Sequence, residues 1–277
     1  MILTGLRKLR HGPLRAMNGM WVFCGNIFRK TLGRSGLSVS HVIGGYGPFK
    51  LDAMFAFSNF SSWGSDQHND GFKDCVKMCR DKACVFDIGA HIGLTTLPIA
   101  SVLADGGLVV SFEPSDANRR YLSHHVRRNG LSDLVRLEGV LVGESDSDRV
   151  DFYESDDVSG MNSAAEVELG EGYRSVARCQ VSIDSYCAKH NLEPQVIKID
   201  VEGAEIAVLR GAKNTLRRAQ PIIFLSYHPR HVSAFGFTQD DLIETLEEVG
   251  YDYRHVDGSQ VEQLAFREYV LTPRQEN

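Results

Sequence analysis

The 277-residue chain is expected to fold as an α/β protein: a doubly wound, mainly parallel sheet behind an N-terminal extension. Three observations predict this. From about residue 83 onward, short apolar runs alternate with amphipathic segments, the pattern of parallel strands joined by helical crossovers. The stretch Val85-Phe-Asp-Ile-Gly-Ala-His-Ile-Gly93 carries an apolar strand through Asp87 into a small-residue turn, with a helix expected from Leu94. A second apolar strand, Leu108-Val-Val-Ser-Phe112, ends in Glu113. Ligands of such sheets bind outside the carboxyl ends of the strands, so these two segments mark one site.

The elements follow in order. Residues 36–65 are rich in glycine and aromatics and read as short strands and loops. Phe72, Val76 and Met78/Cys79 give residues 70–82 an apolar helical stripe. Ala83–Ile88 is the first core strand, followed by a helix over Leu94–Leu103. After Leu108–Phe112, Ser115 or Asp116 caps a helix that stops at Asn129-Gly130. Leu134–Leu137 is the third strand, with Val140-Leu-Val behind it. Residues 144–174 are polar, with an edge strand at Val150-Asp-Phe-Tyr and a loop over 156–163, an insertion suited to a substrate lid; most of its acids are expected at the solvated surface. Gln180–Asp184 leads into a helix that Asp184 caps. Gln195–Ile199 is a buried strand ending at Asp200, Val201–Glu205 opens a helix, and Pro221–Leu225 leads to Ser226-Tyr-His228-Pro. Thr238–Val249 is a helix closed by Gly250. Tyr251–Arg254 and Glu268–Leu271 form a final antiparallel pair.

The turn after the first strand separates two ligand classes. A dinucleotide fold uses G-x-G-x-x-G to bring helix-start amides onto a pyrophosphate. Here the turn reads Gly89-Ala-His-Ile-Gly93, and Asp87 precedes it. A carboxylate there repels pyrophosphate and suits a cationic nucleoside such as S-adenosylmethionine. Glu113 at the second strand end suits a ribose diol. An ordinary strand-to-helix turn remains the alternative for the glycines alone.

Composition bounds the remaining choices. With 43% hydrophobic residues the chain is long enough for one large domain, residues 66–277, preceded by a basic, aromatic-rich extension over 1–65. The net charge of −6 makes nucleic acid an unexpected partner. Residues 1–51 nonetheless carry Arg7, Lys8, Arg10, Arg15, Arg29, Lys30, Arg34 and Lys50 and no acid. That segment suits contact with an anionic membrane surface or an acidic partner, or a solvated tail. No apolar run reaches the ~20 residues of a membrane span, and the Met17–Cys24 patch is too short for a secretory signal. A cytoplasmic location, peripheral to a membrane if the basic segment engages one, is expected. Cys24, Cys75, Cys79, Cys84, Cys179 and Cys187 lack metal-ligand spacing and read as buried reduced thiols.

Laid out this way, residues 83–271 resemble the FkbM-type family of S-adenosylmethionine-dependent methyltransferases. The resemblance rests on Phe86-Asp-Ile-Gly-Ala-His-Ile-Gly93, Ser111-Phe-Glu-Pro114 with Asn118 and Asn129, Ile183-Asp184-Ser, and most specifically Val196-Ile-Lys-Ile-Asp-Val-Glu-Gly-Ala-Glu205. It implies a class I methyltransferase (Rossmann-like) fold with seven strands, the last antiparallel. It also implies O-methylation of a hydroxyl on a saccharide, glycan or secondary metabolite. One position departs: the family often has Glu before the His-Pro pair, and Ser226 stands there.

Under that reading Asp87 lies near the methionine end of the cofactor, with Gly89, Ala90, His91 and Gly93 forming the turn around it. Glu113 holds the ribose, Pro114 flanks the adenine, and Val140 or Leu141 lies against it. Asp200 faces the methyl group, as both a cofactor-binding and a catalytic candidate, with Glu202 beside it. His228 is the preferred general base, because a neutral imidazole titrates near pH 7; a loop-capping role is the alternative, and His231 is a weaker candidate. Glu205 reads as a helix-dipole partner. No metal is expected: Asp200 and Glu202 could share a divalent cation, but no third oxygen ligand stands near them in sequence. The aromatics Phe55–Trp63 could stack on a ring substrate, though core is the expected role for most of them. A non-catalytic nucleoside-binding docking module and an NAD-dependent oxidoreductase are the competing readings.

Overall fold

The computed structural model describes residues 31–32, 36–67, 69–164 and 172–275. The basic stretch up to Arg34, with Cys24, lies outside the described residues, apart from Thr31 and Leu32. The strands are β1 (Ser38–Ile43), β2 (Tyr46–Asp52), β3 (Cys84–Ile88), β4 (Leu108–Phe112), β5 (Val135–Glu138), β6 (Leu141–Val142), β7 (Ser147–Ser155), β8 (Tyr173–Val181), β9 (Val196–Ile199), β10 (Ile222–Tyr227), β11 (Tyr251–His255) and β12 (Arg267–Pro273). The helices are α1 (Phe72–Met78), α2 (Thr96–Ala100), α3 (Asp116–Arg128), α4 (Ile183–His190), α5 (Glu205–Arg210), α6 (Lys213–Ala219), α7 (Pro229–Ala234) and α8 (Gln239–Val249).

Seven strands form the central sheet in the order β11-β12-β10-β9-β3-β4-β5. β5, β4, β3, β9 and β10 run parallel, and β12 is antiparallel to both β10 and β11. The expected doubly wound, mainly parallel sheet of class I methyltransferase type is therefore present, antiparallel strand included. The chain leaves β3 toward β4 on one side and returns as β9 on the other. That reversal opens a crevice at the carboxyl ends of β3 and β9.

Local chemistry sets most boundaries. The Ser115 side chain accepts from the Asn118 N–H at the start of α3, and Thr238 and Asp241 form a reciprocal capping box on α8. Other expectations need correction. The helix after β3 is only Thr96–Ala100, because residues 92–95 are spent on the turn. Met78 is exposed, so the buried stripe of α1 is Phe72, Cys75 and Val76, with Cys79 just beyond it. Ser182, not Asp184, caps α4; the Asp184 carboxylate instead accepts from the Asn214 and Thr215 N–H groups at the start of α6. Residues 144–174 contribute β7, which pairs with an extended β8 in a separate three-stranded sheet with β6. Glu154 on β7 is buried against Arg178 instead of solvated. Cys75, Cys79, Cys84 and Cys187 are buried free thiols, whereas Cys179 is exposed.

A hydrophobic cluster covers each face of the sheet. The β1–β2 hairpin is built into one of them: Ile43, Phe49, Leu51 and Phe55 pack with Leu97, Leu122 and Val126. Phe55 lies edge-on to Tyr121, which makes it core, while Phe57 is exposed. The seam is polar at one point. His125, fully buried, accepts the Asp52 N–H at Nε2 (3.0 Å) and donates from Nδ1 to the Ile92 carbonyl (2.8 Å). Only the neutral ring satisfies both bonds. Burial, only partly offset by the Ile92 bond and the Asp52 charge, lowers its pKa to about 4.

A pH dependence follows. The unfolded imidazole titrates near 6.5, so between about 6.5 and about 4 the unfolded chain takes up a proton that the folded one refuses. His125 therefore stabilises the fold fully above that window and loses its contribution as pH falls through it, by roughly 3 kcal/mol in the limit. Buried Asp87 and Glu113, with raised pKa values, act in the opposite direction. Urea unfolding at pH 7.0 and 4.5 should therefore show a smaller loss on acidification for His125→Gln than for the parent chain. Equal losses would remove His125 from the acid response.

Candidate active site

The crevice between β3 and β9 opens into a partly enclosed cavity, at the strand ends where ligands of such sheets bind. Gly89 and His91 after β3, Glu113 and Pro114 after β4, and Asp200 and Glu202 after β9 line it. Val140, Leu141 and Val142 add an apolar wall. Eight residues singled out from the sequence thus meet in one cavity: Gly89, His91, Glu113, Pro114, Val140, Leu141, Asp200 and Glu202.

Gly89 is the close-packed point of the turn. Its φ is +86°, and a Cβ there would lie 1.7 Å from the Asp200 carbonyl oxygen. The Asp200 N–H donates to the Ile88 carbonyl at 2.9 Å. Only a residue without a side chain lets the two strand ends converge. Ala90 and Gly93, expected at the cofactor turn, do not line the cavity. Ala90 is buried and its N–H donates to Phe112 O; Gly93, at φ +92°, sits against Leu122.

Asp87 also differs from expectation. Its carboxylate accepts from the Thr96 hydroxyl at 2.5 Å and is fully buried beneath the turn. Burial raises its pKa to about 6, against the Thr96 bond and the Lys198 charge. It shapes the turn from below and forms no wall of the cavity.

Glu113 is buried at the cavity edge. It accepts the His91 N–H at Oε2 (2.8 Å) and the Ser115 N–H at Oε1 (3.0 Å). Burial lifts its pKa to about 7 despite these bonds. Asn118 was not assigned a role from the sequence. Its amide exchanges hydrogen bonds with the Ser159 backbone, pinning the 156–163 loop over the cavity beside Glu113. His91 holds φ +51°, and its Nε2 is buried without a hydrogen-bond partner. Burial lowers its pKa to about 4, keeping it neutral.

The opposite end is a cluster of acids around His228. His228 Nδ1 meets Glu205 Oε1 at 2.7 Å, and its Nε2 faces Asp200 Oδ1 (3.7 Å) and Glu202 Oε1 (3.6 Å). Burial alone would lower the His228 pKa; the Glu205 bond and the three carboxylates outweigh it and raise it to about 9. The expected neutral base is thus corrected: this imidazole is held protonated at neutral pH by its acids. It does not cap its loop either, since its side chain makes no cap to α7. Burial raises Glu202 to about 7 against the His228 charge. His231 Nδ1 reaches Glu202 Oε2 at 2.8 Å. Glu205, read as a dipole partner, is fully buried and is the residue that orients His228. The only sequence signal for that pairing was its place in the Asp200-Val-Glu-Gly-Ala-Glu205 run.

The departure at Ser226 has a structural counterpart. Ser226 pairs with Glu268 across β10 and β12. Lys198 Nζ donates to Ser226 Oγ (2.7 Å) and meets Glu268 Oε1 (3.2 Å) and Asp200 Oδ2 (3.5 Å). A buried carboxylate thus reaches Lys198 from the neighbouring strand.

Among the described residues, no helix is long and apolar enough to cross a membrane. Solved structures with a similar arrangement include the FkbM methyltransferase of Methylobacillus flagellatus, 19% identical over 70% of this chain with a TM-score of 0.46. This chain spans 44% of the length of that structure. An rRNA methylase from Streptococcus thermophilus is 10% identical over 76% of this chain and 98% of its own, TM-score 0.43. A SAM-dependent O-methyltransferase from Thermotoga maritima is 10% identical over 75% of this chain and 66% of its own, TM-score 0.41. No curated protein matches the chain. The model of the methyltransferase FkbM domain matches residues 87–253, from the Asp87 strand through the Glu113, Asp200 and His228 strand ends and into β11, and the chain belongs to that methyltransferase family.

Proposed function

We propose that the chain transfers the methyl group of S-adenosylmethionine to a hydroxyl oxygen of a saccharide, glycan or secondary-metabolite acceptor. One observation carries this reading: a single cavity joins a buried acid suited to a ribose diol, Glu113, to the acids Asp200 and Glu202 at the β9 end, behind which His228 stands. The residues fit the cofactor. Glu113 has accepting capacity beyond its two backbone bonds, His91 Nε2 is an orphaned buried nitrogen, and Val140 and Leu141 offer an apolar wall to a purine. S-adenosylmethionine supplies an activated methyl group. The chain's part is to align the acceptor oxygen with it, exclude water and take up the hydroxyl proton. The lid loop at 156–163 serves the second task, and the carboxylates of Asp200 and Glu202 are the acids at hand for the third.

Glu113→Gln tests the cofactor assignment. An amide cannot accept both backbone N–H groups and a diol, so S-adenosylhomocysteine affinity should fall about 10-fold or more, within the ~1–3 kcal/mol of charge-assisted bonds. Calorimetric titration of the two proteins reads this directly, and unchanged affinity would remove Glu113 from the ribose site. Methyl transfer to a panel of hydroxylated glycans and small alcohols, read with methyl-labelled cofactor, tests the acceptor class. Labelling of amines alone would contradict the hydroxyl reading.

A further inference from the structure

The group around His228 holds more than a proton path. Asp200, Glu202 and His228 each present one donor atom, and the three atoms lie within 4.8 Å of one another. None of the His228 Nε2 distances, 3.6 Å to Glu202 Oε1 and 3.7 Å to Asp200 Oδ1, is a good hydrogen bond. Both match the edge of a coordination shell: donors about 2.2 Å from a shared centre at near-tetrahedral angles stand roughly that far apart.

The second observation is how the three donors are held. Each has a polar neighbour beside its other polar atom. Glu205 Oε1 takes His228 Nδ1 at 2.7 Å, which turns Nε2 toward the acids. His231 Nδ1 stands 2.8 Å from Glu202 Oε2, close but outside hydrogen-bond geometry, while Glu202 Oε1 faces His228. Lys198 Nζ lies 3.5 Å from Asp200 Oδ2, which leaves Oδ1 inward. A buried carboxylate on the far nitrogen of an imidazole, with outer partners on each ligating acid, is the arrangement that orients metal ligands. Charge points the same way. Asp200, Glu202, Glu205 and Glu268 crowd around Lys198 and His228, an excess of negative charge that a divalent cation offsets.

We propose that Asp200, Glu202 and His228 bind one divalent first-row cation whose open positions face the cavity and receive the acceptor hydroxyl. Two carboxylates and one imidazole suit Mn²⁺ or a neighbouring ion better than all-oxygen Mg²⁺ sites. The inference rests on the methyltransferase reading for its chemistry. The hydroxyl oxygen binds the cation, which makes its proton acidic, and that proton leaves to solvent. An oxygen lone pair forms the new C–O bond as the S–CH₃ bond breaks, and the S–C electron pair stays on sulfur as a neutral thioether. His228 is then a ligand through Nε2, the cation taking the place of the proton that the surrounding acids otherwise hold there.

The test is Mn²⁺ binding to the full chain after chelator treatment, with free Mn²⁺ read by electron paramagnetic resonance. One Mn²⁺ per chain should bind at micromolar to sub-millimolar concentration. Glu202→Gln and His228→Gln should each weaken it at least tenfold, and thermal unfolding of both variants shows whether they are folded. Absence of Mn²⁺ binding at millimolar concentration, or undiminished binding in both folded variants, overturns the site. S-adenosylhomocysteine titration of the metal-free chain separates the two readings. Cofactor binding without Mn²⁺ uptake sinks the cation and leaves the methyltransferase assignment standing; Mn²⁺ uptake without cofactor binding supports the cation site and removes the cofactor reading on which its chemistry depends.

Discussion

Gly89→Ala should destabilise the chain by at least ~3 kcal/mol and abolish cofactor binding, the largest effect expected of any single methyl group in the site. Two costs combine. The residue sits at φ +86°, where an L side chain is strained, and the added carbon would stand 1.7 Å from the Asp200 carbonyl oxygen. That oxygen belongs to backbone, so relief requires β3 and β9 to separate at their carboxyl ends. The Asp200 N–H bond to Ile88 would break, and the distance between the Glu113 and Asp200 sides of the cavity would change with it. Urea denaturation together with S-adenosylhomocysteine calorimetry measures both losses. A variant with parental stability and affinity would show that the turn does not hold the site together.

Lys198→Met should cost about 3–5 kcal/mol, the penalty for leaving one half of a buried ion pair uncompensated. Lys198 is buried beneath the site with Glu268 fully buried beside it, and Ser226 and Asp200 complete its contacts. Burial raises the Glu268 pKa, with the Lys198 charge opposing it. Without the lysine that acid has the Gly71 N–H as its remaining partner among these contacts. The double variant Lys198→Met with Glu268→Leu should recover a large part of the loss, because removing both charges avoids the orphan. Equal destabilisation in the single and double variants would mean that the pair is not the source.

Much of this was readable in the chain itself. Alternation of apolar runs with helical segments located the strands of the sheet, because burial on both faces demands continuous apolar strands. Ser115, one of the two expected caps, placed a helix start, since its side chain meets a backbone donor only a few residues away. The Glu113 and Asp200 strand ends and the glycine turn were legible for the same local reason. What stayed hidden depends on pairing across the fold. Asp87 reads equally well as a ligand contact or a buried anchor; it is the Thr96 hydroxyl, nine residues later, that draws it under the turn. Glu205 and His228 meet only because α5 and β10 converge, and that meeting reverses the expected charge state of the histidine. Ser226 looked like a missing acid, yet cross-strand register supplies Glu268 in its place. The third donor of the proposed cation site, His228, is far from Asp200 and Glu202 in sequence because it follows β10, the next strand of the sheet.

The assignment of the Gly89–Glu113–Asp200 cavity as an S-adenosylmethionine site is a proposal that ligand binding decides. Calorimetric titration of the purified chain with S-adenosylhomocysteine, with NAD as the parallel ligand, tests it most directly. One site per chain, micromolar affinity for S-adenosylhomocysteine and no heat of binding from NAD are expected. Binding of NAD, or of neither ligand, would contradict it.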